Sequence, residues 1–108
     1  MAKQLVFYMT SWCSSCHAAQ DALAQWGVTA RSVNIGRDRG AADRVRALTG
    51  FESVPTFVIV DGAGVDPIEP PTPLPVGRGP RGIDRGTVLT EPTNTELKAW
   101  LTKNGFLP

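Results

Sequence analysis

Leu5-Val6-Phe7-Tyr8-Met9-Thr10-Ser11-Trp12-Cys13-Ser14-Ser15-Cys16 is the stretch that decides how this chain is read. Leu5 to Met9 is apolar without interruption, as a strand covered on both faces would be. Thr10-Ser11-Trp12 breaks the run, and Cys13 and Cys16, the chain's 2 cysteines, follow. Their spacing sets both thiols on one helical turn. A bridge between them closes almost no loop and hardly constrains the unfolded chain, so it is a poor staple. The spacing suits a reversible dithiol, and C-x-x-C beside a βαβ pattern is a redox signature. Two rival readings are a metal site and an inert pair of small apolar residues. Zinc wants four ligands, and beyond the cysteines the chain has a single histidine, His17. No metal is therefore expected.

Outward from this stretch, strands and helices alternate. Ser14 to Trp26 favours helix, with Ala18, Ala19, Ala22, Leu23 and Trp26 read as one apolar stripe and Gly27 as the stop. Ala30 to Ile35 is a second strand, with Val33 and Ile35 alternating against polar neighbours. Asp38 to Thr49 is a second helix, with Ala41, Val45 and Leu48 on one face and Gly50 at its end. Pro55 cannot donate to a ladder and opens a third strand, Thr56 to Val60. Gly86 to Thr90 is a weaker fourth strand. Thr93-Asn94-Thr95-Glu96 is a capping box for a last helix, with Leu97, Trp100 and Leu101 as its apolar face and Asn104-Gly105 at its end. The order is β-α-β-α-β-β-α, an α/β fold.

Asp61 to Gly86 departs from this pattern, holding 6 of the 9 prolines and 6 of the 11 glycines. Long loops without secondary structure are uncommon inside compact domains. Because closing a longer loop costs little, the segment reads as a surface insertion projecting from the hairpin between the last two strands. Pro70-Pro71-Thr72-Pro73-Leu74-Pro75 offers a second reading, a preformed polyproline II ligand for a partner. An edge strand around Val65 to Ile68 is a third. Residues 1–108 read as one domain, with 61–86 as its insert.

The formal net charge is +1, which gives no electrostatic case for nucleic acid or an anionic membrane. No apolar run approaches the ~20 residues that span a bilayer. Met1-Ala2-Lys3-Gln4 runs straight into the first strand, too short for a secretory leader. The expected compartment is the reducing cytosol, where a cysteine pair is more often catalytic than structural.

The chemistry of the motif follows from position. Cys13 falls at the N-terminus of the first helix, where unpaired N–H groups and the helix dipole favour an anionic sulfur. Cys16 lies one turn in, where it can attack a mixed disulfide on Cys13. Trp12 is read as a shield for the thiols and a contact surface. His17 is read as a solvated residue. Arg37, Arg39, Arg44 and Arg46 cluster around the second helix, either as a solvated face partly paired with Asp38 and Asp43 or as a cradle for an anionic thiol.

Thr10-Ser11-Trp12-Cys13-Ser14-Ser15-Cys16, followed by Ser53-Val54-Pro55-Thr56, resembles the glutaredoxins, which have a thioredoxin-like fold, and is most similar to the mycoredoxin-type glutaredoxins of bacteria. The resemblance implies a monomeric thiol–disulfide oxidoreductase with no bound cofactor. Its substrates would be protein mixed disulfides with a low-molecular-weight thiol: glutathione, mycothiol or bacillithiol. It also implies a cis Val54–Pro55 bond opposite the cysteines, leaving the Val54 N–H and C=O free to pair with an extended substrate. Cys13 and Cys16 would then be catalytic, with Trp12, Ser14, Ser15, Val54, Pro55 and Arg39 binding substrate. The chain departs from the glutathione-binding pattern at Thr90-Glu91-Pro92-Thr93, where typical members carry a Gly-Gly turn. Glu91 adds negative charge where a substrate carboxylate would sit, and a lysine shortly before the cysteine motif is missing. A thioredoxin-like reductant of one partner protein is a further reading, although Leu5 to Met9 lacks the aspartate that thioredoxins bury. An iron–sulfur module with a cluster on Cys13 between two subunits is another.

Overall fold

The strand β1 (Lys3–Met9) carries the apolar run into the middle of a sheet completed by β2 (Arg31–Asn34), β3 (Thr56–Asp61) and β4 (Val88–Thr90), in the order β2-β1-β3-β4. The computed structural model describes residues 2–108. β1 runs parallel to β2, with Phe7 opposite Ser32, and antiparallel to β3, with Phe7 opposite Phe57. β4 pairs antiparallel with β3 and forms the far edge. Helix α1 (Ser14–Trp26) makes the crossover between the parallel strands, α2 (Arg39–Thr49) leads from β2 to β3, and α3 (Asn94–Lys103) follows β4. This arrangement has the order and topology of a thioredoxin-like fold.

Successive side chains of a strand point to opposite faces, so the continuous run in β1 serves two cores. Leu5 and Phe7 join Cys16, Ala19 and Leu23 of α1 and Leu97, Trp100 and Leu101 of α3. Val6 and Tyr8 join Ala41, Ala42 and Val45 of α2. Phe7 and Phe57 stack at 5.0 Å across the strand pair, and Trp100 meets Phe57 at 6.4 Å. A buried side chain of this size contributes about 1.5–3 kcal/mol. Trp100 also donates its indole N–H to the Gly86 carbonyl at 2.9 Å, which ties α3 to the turn just before the last strand.

The helix ends follow the sequence signals. Cys13 is the N-cap of α1 and Gly27 its left-handed C-cap, Asp38 accepts from the Ala41 N–H at the start of α2, and Thr93 and Glu96 complete the capping box of α3. Three expectations need correction. Ala18 is exposed, because one turn of α1 faces solvent beside the motif; the buried stripe runs through Cys16, Ala19, Ala22 and Leu23. The last strand begins at Val88 rather than Gly86, whose φ of 82° takes it out of extended backbone. Asp38 is occupied as a cap and is no partner for the arginines around α2.

The largest correction concerns the insert, which folds back on the domain instead of projecting. Near its start, Ile68 donates its N–H to the Ile59 carbonyl at 2.8 Å and packs on the α1/α3 core. That contact is a single bridge, Val60 with Pro67, and not an edge strand over Val65 to Ile68. Thr87 Oγ1 donates to the Glu69 carbonyl at 2.8 Å. Arg85, only 8% exposed, donates to the Thr72 carbonyl at 2.8 Å and to the Leu48 carbonyl at the end of α2 at 2.6 Å. A polar backbone segment laid on a core must find such partners, and its lack of regular structure hides them from a periodicity reading.

Candidate functional site

β1 ends at Met9, and the turn through Thr10, Ser11 and Trp12 delivers Cys13 to the N-terminus of α1. Cys13 caps the helix with its sulfur, which accepts the Cys16 N–H at 3.0 Å. Capping by Ser, Thr, Asp or Asn is usual; here a thiol takes that place, so the orphan N–H of the first turn points at the sulfur. Cys13 is partly exposed and Cys16 buried, and both are free thiols. Burial pushes the Cys16 thiol up to about 12, helped by its hydrogen bond with Cys13. The two sulfurs of one motif thus occupy unlike surroundings, one at the surface on a helix end and one in the core.

Val54 faces the pair. The Val54–Pro55 peptide bond is cis. The Cys13 thiol lies 3.9 Å from the Val54 carbonyl oxygen, its acceptor. The Val54 N–H has no hydrogen-bond partner among the described residues. Pro55 accepts the Glu91 N–H at 2.7 Å, so the turn after β4 hangs on the residue beside that carbonyl. Glu91 has a φ of 47°, a left-handed conformation that costs a non-glycine residue roughly 1–2 kcal/mol. The chain therefore keeps a glycine-like turn here while presenting a carboxylate.

Trp12 is 76% exposed. Its ring lies over Gly36, in the turn between β2 and α2, where a Cβ would stand 2.7 Å from Cη2 of Trp12. Gly36 is held by its own N–H bond to Asn34 Oδ1 at 2.9 Å. Ser14 and Ser15 form the exposed first turn of α1. Ser15 also lines a groove of about 510 Å³ with Arg81, Gly82, Glu91, Thr93 and Glu96. His17 is exposed and donates Nε2–H to the Ser11 carbonyl at 2.9 Å, bracing the turn before Cys13. Arg39 opens α2 with an exposed side chain, and no hydrogen bond or ion pair joins it to the cysteines. Arg46 pairs with Asp43 at 3.1 Å and with Glu52, as a solvated face would.

Trp12, Cys13, Cys16, Val54 and Pro55 are thus gathered at one end of the sheet, with Ser15 opening onto the groove. Arg81, Gly82 and Gly36 were not singled out from the sequence. Arg81 and Gly82 come from the insert, and only their place along β4 brings them near the motif. Among the described residues, no group of three or more His, Cys, Asp or Glu could hold a metal ion. Among the described residues, no helix is long and apolar enough to cross a membrane.

A helix-capping thiol, a buried second thiol and a cis-proline loop facing them on this sheet define a thioredoxin-like protein with a dithiol site. The family model described as Glutaredoxin matches residues 5–65. That is over half of the chain, and the protein belongs to the glutaredoxin family, whose general chemistry is thiol–disulfide exchange. A search of curated proteins finds no match.

Proposed function

We propose that this protein reduces mixed disulfides between proteins and a low-molecular-weight thiol, with Cys13 as nucleophile and Cys16 as resolving thiol. The observation that carries the reading is the contrast between the two sulfurs: Cys13 is partly exposed on the helix end, whereas Cys16 is buried and held protonated by that burial. In the first step the Cys13 thiolate attacks one sulfur of the mixed disulfide. The old S–S bond breaks, a new one forms to Cys13, and the departing thiolate takes a proton from water. A second small thiol can then attack this adduct, releasing a small-thiol disulfide and restoring Cys13. Alternatively Cys16 loses its proton and attacks, leaving a Cys13–Cys16 disulfide that two small thiols reduce. Either route transfers two electrons from the small thiol to the substrate.

Trp12 shields the Cys13 sulfur, and the Val54 N–H and C=O pair with the extended part of the substrate beside Pro55. Ser14, Ser15 and Arg39 complete the proposed substrate contacts. The mycoredoxin-like motif and the carboxylate of Glu91 favour mycothiol or bacillithiol over glutathione as the co-substrate. The proposed setting is the reducing cytosol, where such a thiol pool keeps the pair reduced. The test offers the reduced protein one peptide carrying each of the three small thiols in mixed disulfide and compares kcat/KM. Faster turnover of one of them identifies the co-substrate, and no turnover of any overturns the proposal.

A further inference from the structure

Pro70-Pro71-Thr72-Pro73-Leu74-Pro75 lies in the insert, beyond the residues that the family model matches, and the proposed chemistry does not use it. Its own residues set its backbone. Each proline ring locks φ near about −65°. Glu69, Pro70, Thr72 and Leu74 each precede a proline, which holds them to extended backbone. The X–Pro bonds of the segment are trans. The outcome is a polyproline II backbone, which has about three residues per turn. Exposure follows that period. Pro71 and Leu74 are half-buried, whereas Glu69, Pro70, Thr72, Pro73, Pro75 and Val76 are exposed, Val76 completely. One ridge thus turns toward the domain, and two ridges face solvent. Hydrogen bonds hold this orientation. Thr72 donates its N–H to the Arg85 carbonyl at 3.0 Å and accepts from Arg85 Nε at 2.8 Å. Beyond Pro75 the chain turns back, with the Arg78 N–H on the Pro75 carbonyl at 3.0 Å. Of the insert's arginines, Arg81 pairs with Glu91 at 3.1 Å and Arg85 is buried. Arg78 is exposed, and among the described residues its side chain makes no hydrogen bond or ion pair.

We propose that this segment is a docking ridge for a partner domain whose groove is lined by aromatic side chains and edged by acidic ones. Proline has no N–H, so the segment cannot add to a sheet edge as a strand would. What it offers is a row of rings. Grooves lined by aromatic side chains read such a row, taking the two outward ridges and leaving the third outside. Here the third ridge, Pro71 and Leu74, is the one already turned toward the domain. The backbone is fixed before the partner arrives, so docking orders little of the chain. Arg78, free at the end of the ridge, supplies the charge that an acidic edge complements. The surface is separate from the cysteine motif, and its binding is read independently of thiol exchange.

The experiment titrates the full reduced chain into a panel of purified SH3 domains, whose grooves have this chemistry, and follows binding by calorimetry. At least one domain should bind the parent protein. Pro70→Ala and Pro73→Ala should each weaken that binding by roughly 5-fold or more, as truncating an interface anchor does. Pro71→Ala, on the inward ridge, should bind within about 2-fold of the parent. Arg78→Glu should weaken binding, and added salt should weaken it in the parent but not further in this variant. Reduction of a small mixed disulfide should keep the parent rate in all four variants. Absence of binding to every domain overturns this inference and leaves the proposed function standing. Parent-like binding by Pro70→Ala and Pro73→Ala also overturns it, as does an equal loss in Pro71→Ala. Binding that responds only to Arg78→Glu overturns it too, because the contact would then be electrostatic alone. A parent protein that binds as described yet reduces no mixed disulfide overturns the proposed function and supports the docking ridge.

Discussion

The Cys16 N–H donates to Cys13 Sγ at 3.0 Å, so the helical turn that buries one sulfur supplies the hydrogen bond that holds the other. Division of labour follows from that geometry. Cys13→Ser should abolish reduction of mixed disulfides, whereas Cys16→Ser should retain it on small-thiol substrates and accumulate an adduct on Cys13. Limiting iodoacetamide at neutral pH should label Cys13 first, because Cys16 is 1% exposed and its thiol stays protonated. Intact-mass and peptide mass spectrometry reads both results. Prior labelling of Cys16 would reverse the assignment.

Burial of Cys16 has a pH signature. Its thiol is pushed from an ordinary 9.0 to about 12 in the folded chain, chiefly by desolvation and then by the bond with Cys13. In the window between those values the folded state holds a proton that the unfolded state has lost. The contribution is therefore whole below about 9 and drains away as pH rises toward about 12. In reducing buffer, the gap in urea midpoint between the parent protein and Cys16→Ala should narrow between about pH 7.5 and about pH 10. A gap constant over that interval would contradict the assigned shift.

Trp12 and Gly36 form a second dependent pair. A Cβ at Gly36 would stand 2.7 Å from Trp12 Cη2 and 3.1 Å from Asn34 Oδ1, so the indole must leave its seat. An off-rotamer side chain costs about 0.5–1.5 kcal/mol, or roughly 2- to 10-fold in a rate that needs the original position. Gly36→Ala should lower kcat/KM on mixed disulfides by that factor with little change in melting temperature. The Trp12 indole N–H resonance should shift while those of Trp26 and Trp100 stay in place. An unshifted Trp12 signal, or a large loss of stability, would contradict this account.

Local patterning made the regular elements readable. The apolar run of β1, the thiol at the α1 cap, the Asp38 cap and the Thr93/Glu96 box are each set by residues close in sequence. Cys13 and Cys16 could be read as the centre of the site for the same reason. The Arg81–Glu91 pair could not, because it spans 10 positions of irregular chain and depends on where the insert meets β4. Gly36 gave no signal either, since its role is an approach by a ring 24 positions earlier. Ala18 was misread because a helix beside an exposed motif has fewer neighbours at its first turns than an ideal amphipathic stripe supposes.

Arg85 shows why the insert belongs to the fold. Its guanidinium, on a residue 8% exposed, satisfies the Leu48 carbonyl at the end of α2 and the Thr72 carbonyl within the insert. A cation at a helix C-terminus is favourable in itself, and its removal leaves two acceptors without their donor. Arg85→Ala should therefore destabilise the protein by about 1.5–3 kcal/mol, the range for hydrogen bonds to charged groups. Arg85→Lys should recover only part of this, because a single ammonium lacks the fork that reaches both carbonyls. Val76 to Gly79, by contrast, is exposed throughout. Replacing Val76, Arg78 and Gly79 together with serine, with Gly77 kept for its φ of 79°, should change stability by no more than about 0.5 kcal/mol. Urea unfolding of the three variants measures these differences. If Arg85→Ala matches the parent midpoint, or the exposed tip proves as costly to alter, the insert is not anchored through Arg85 and its return path over α2 contributes nothing to holding the domain together.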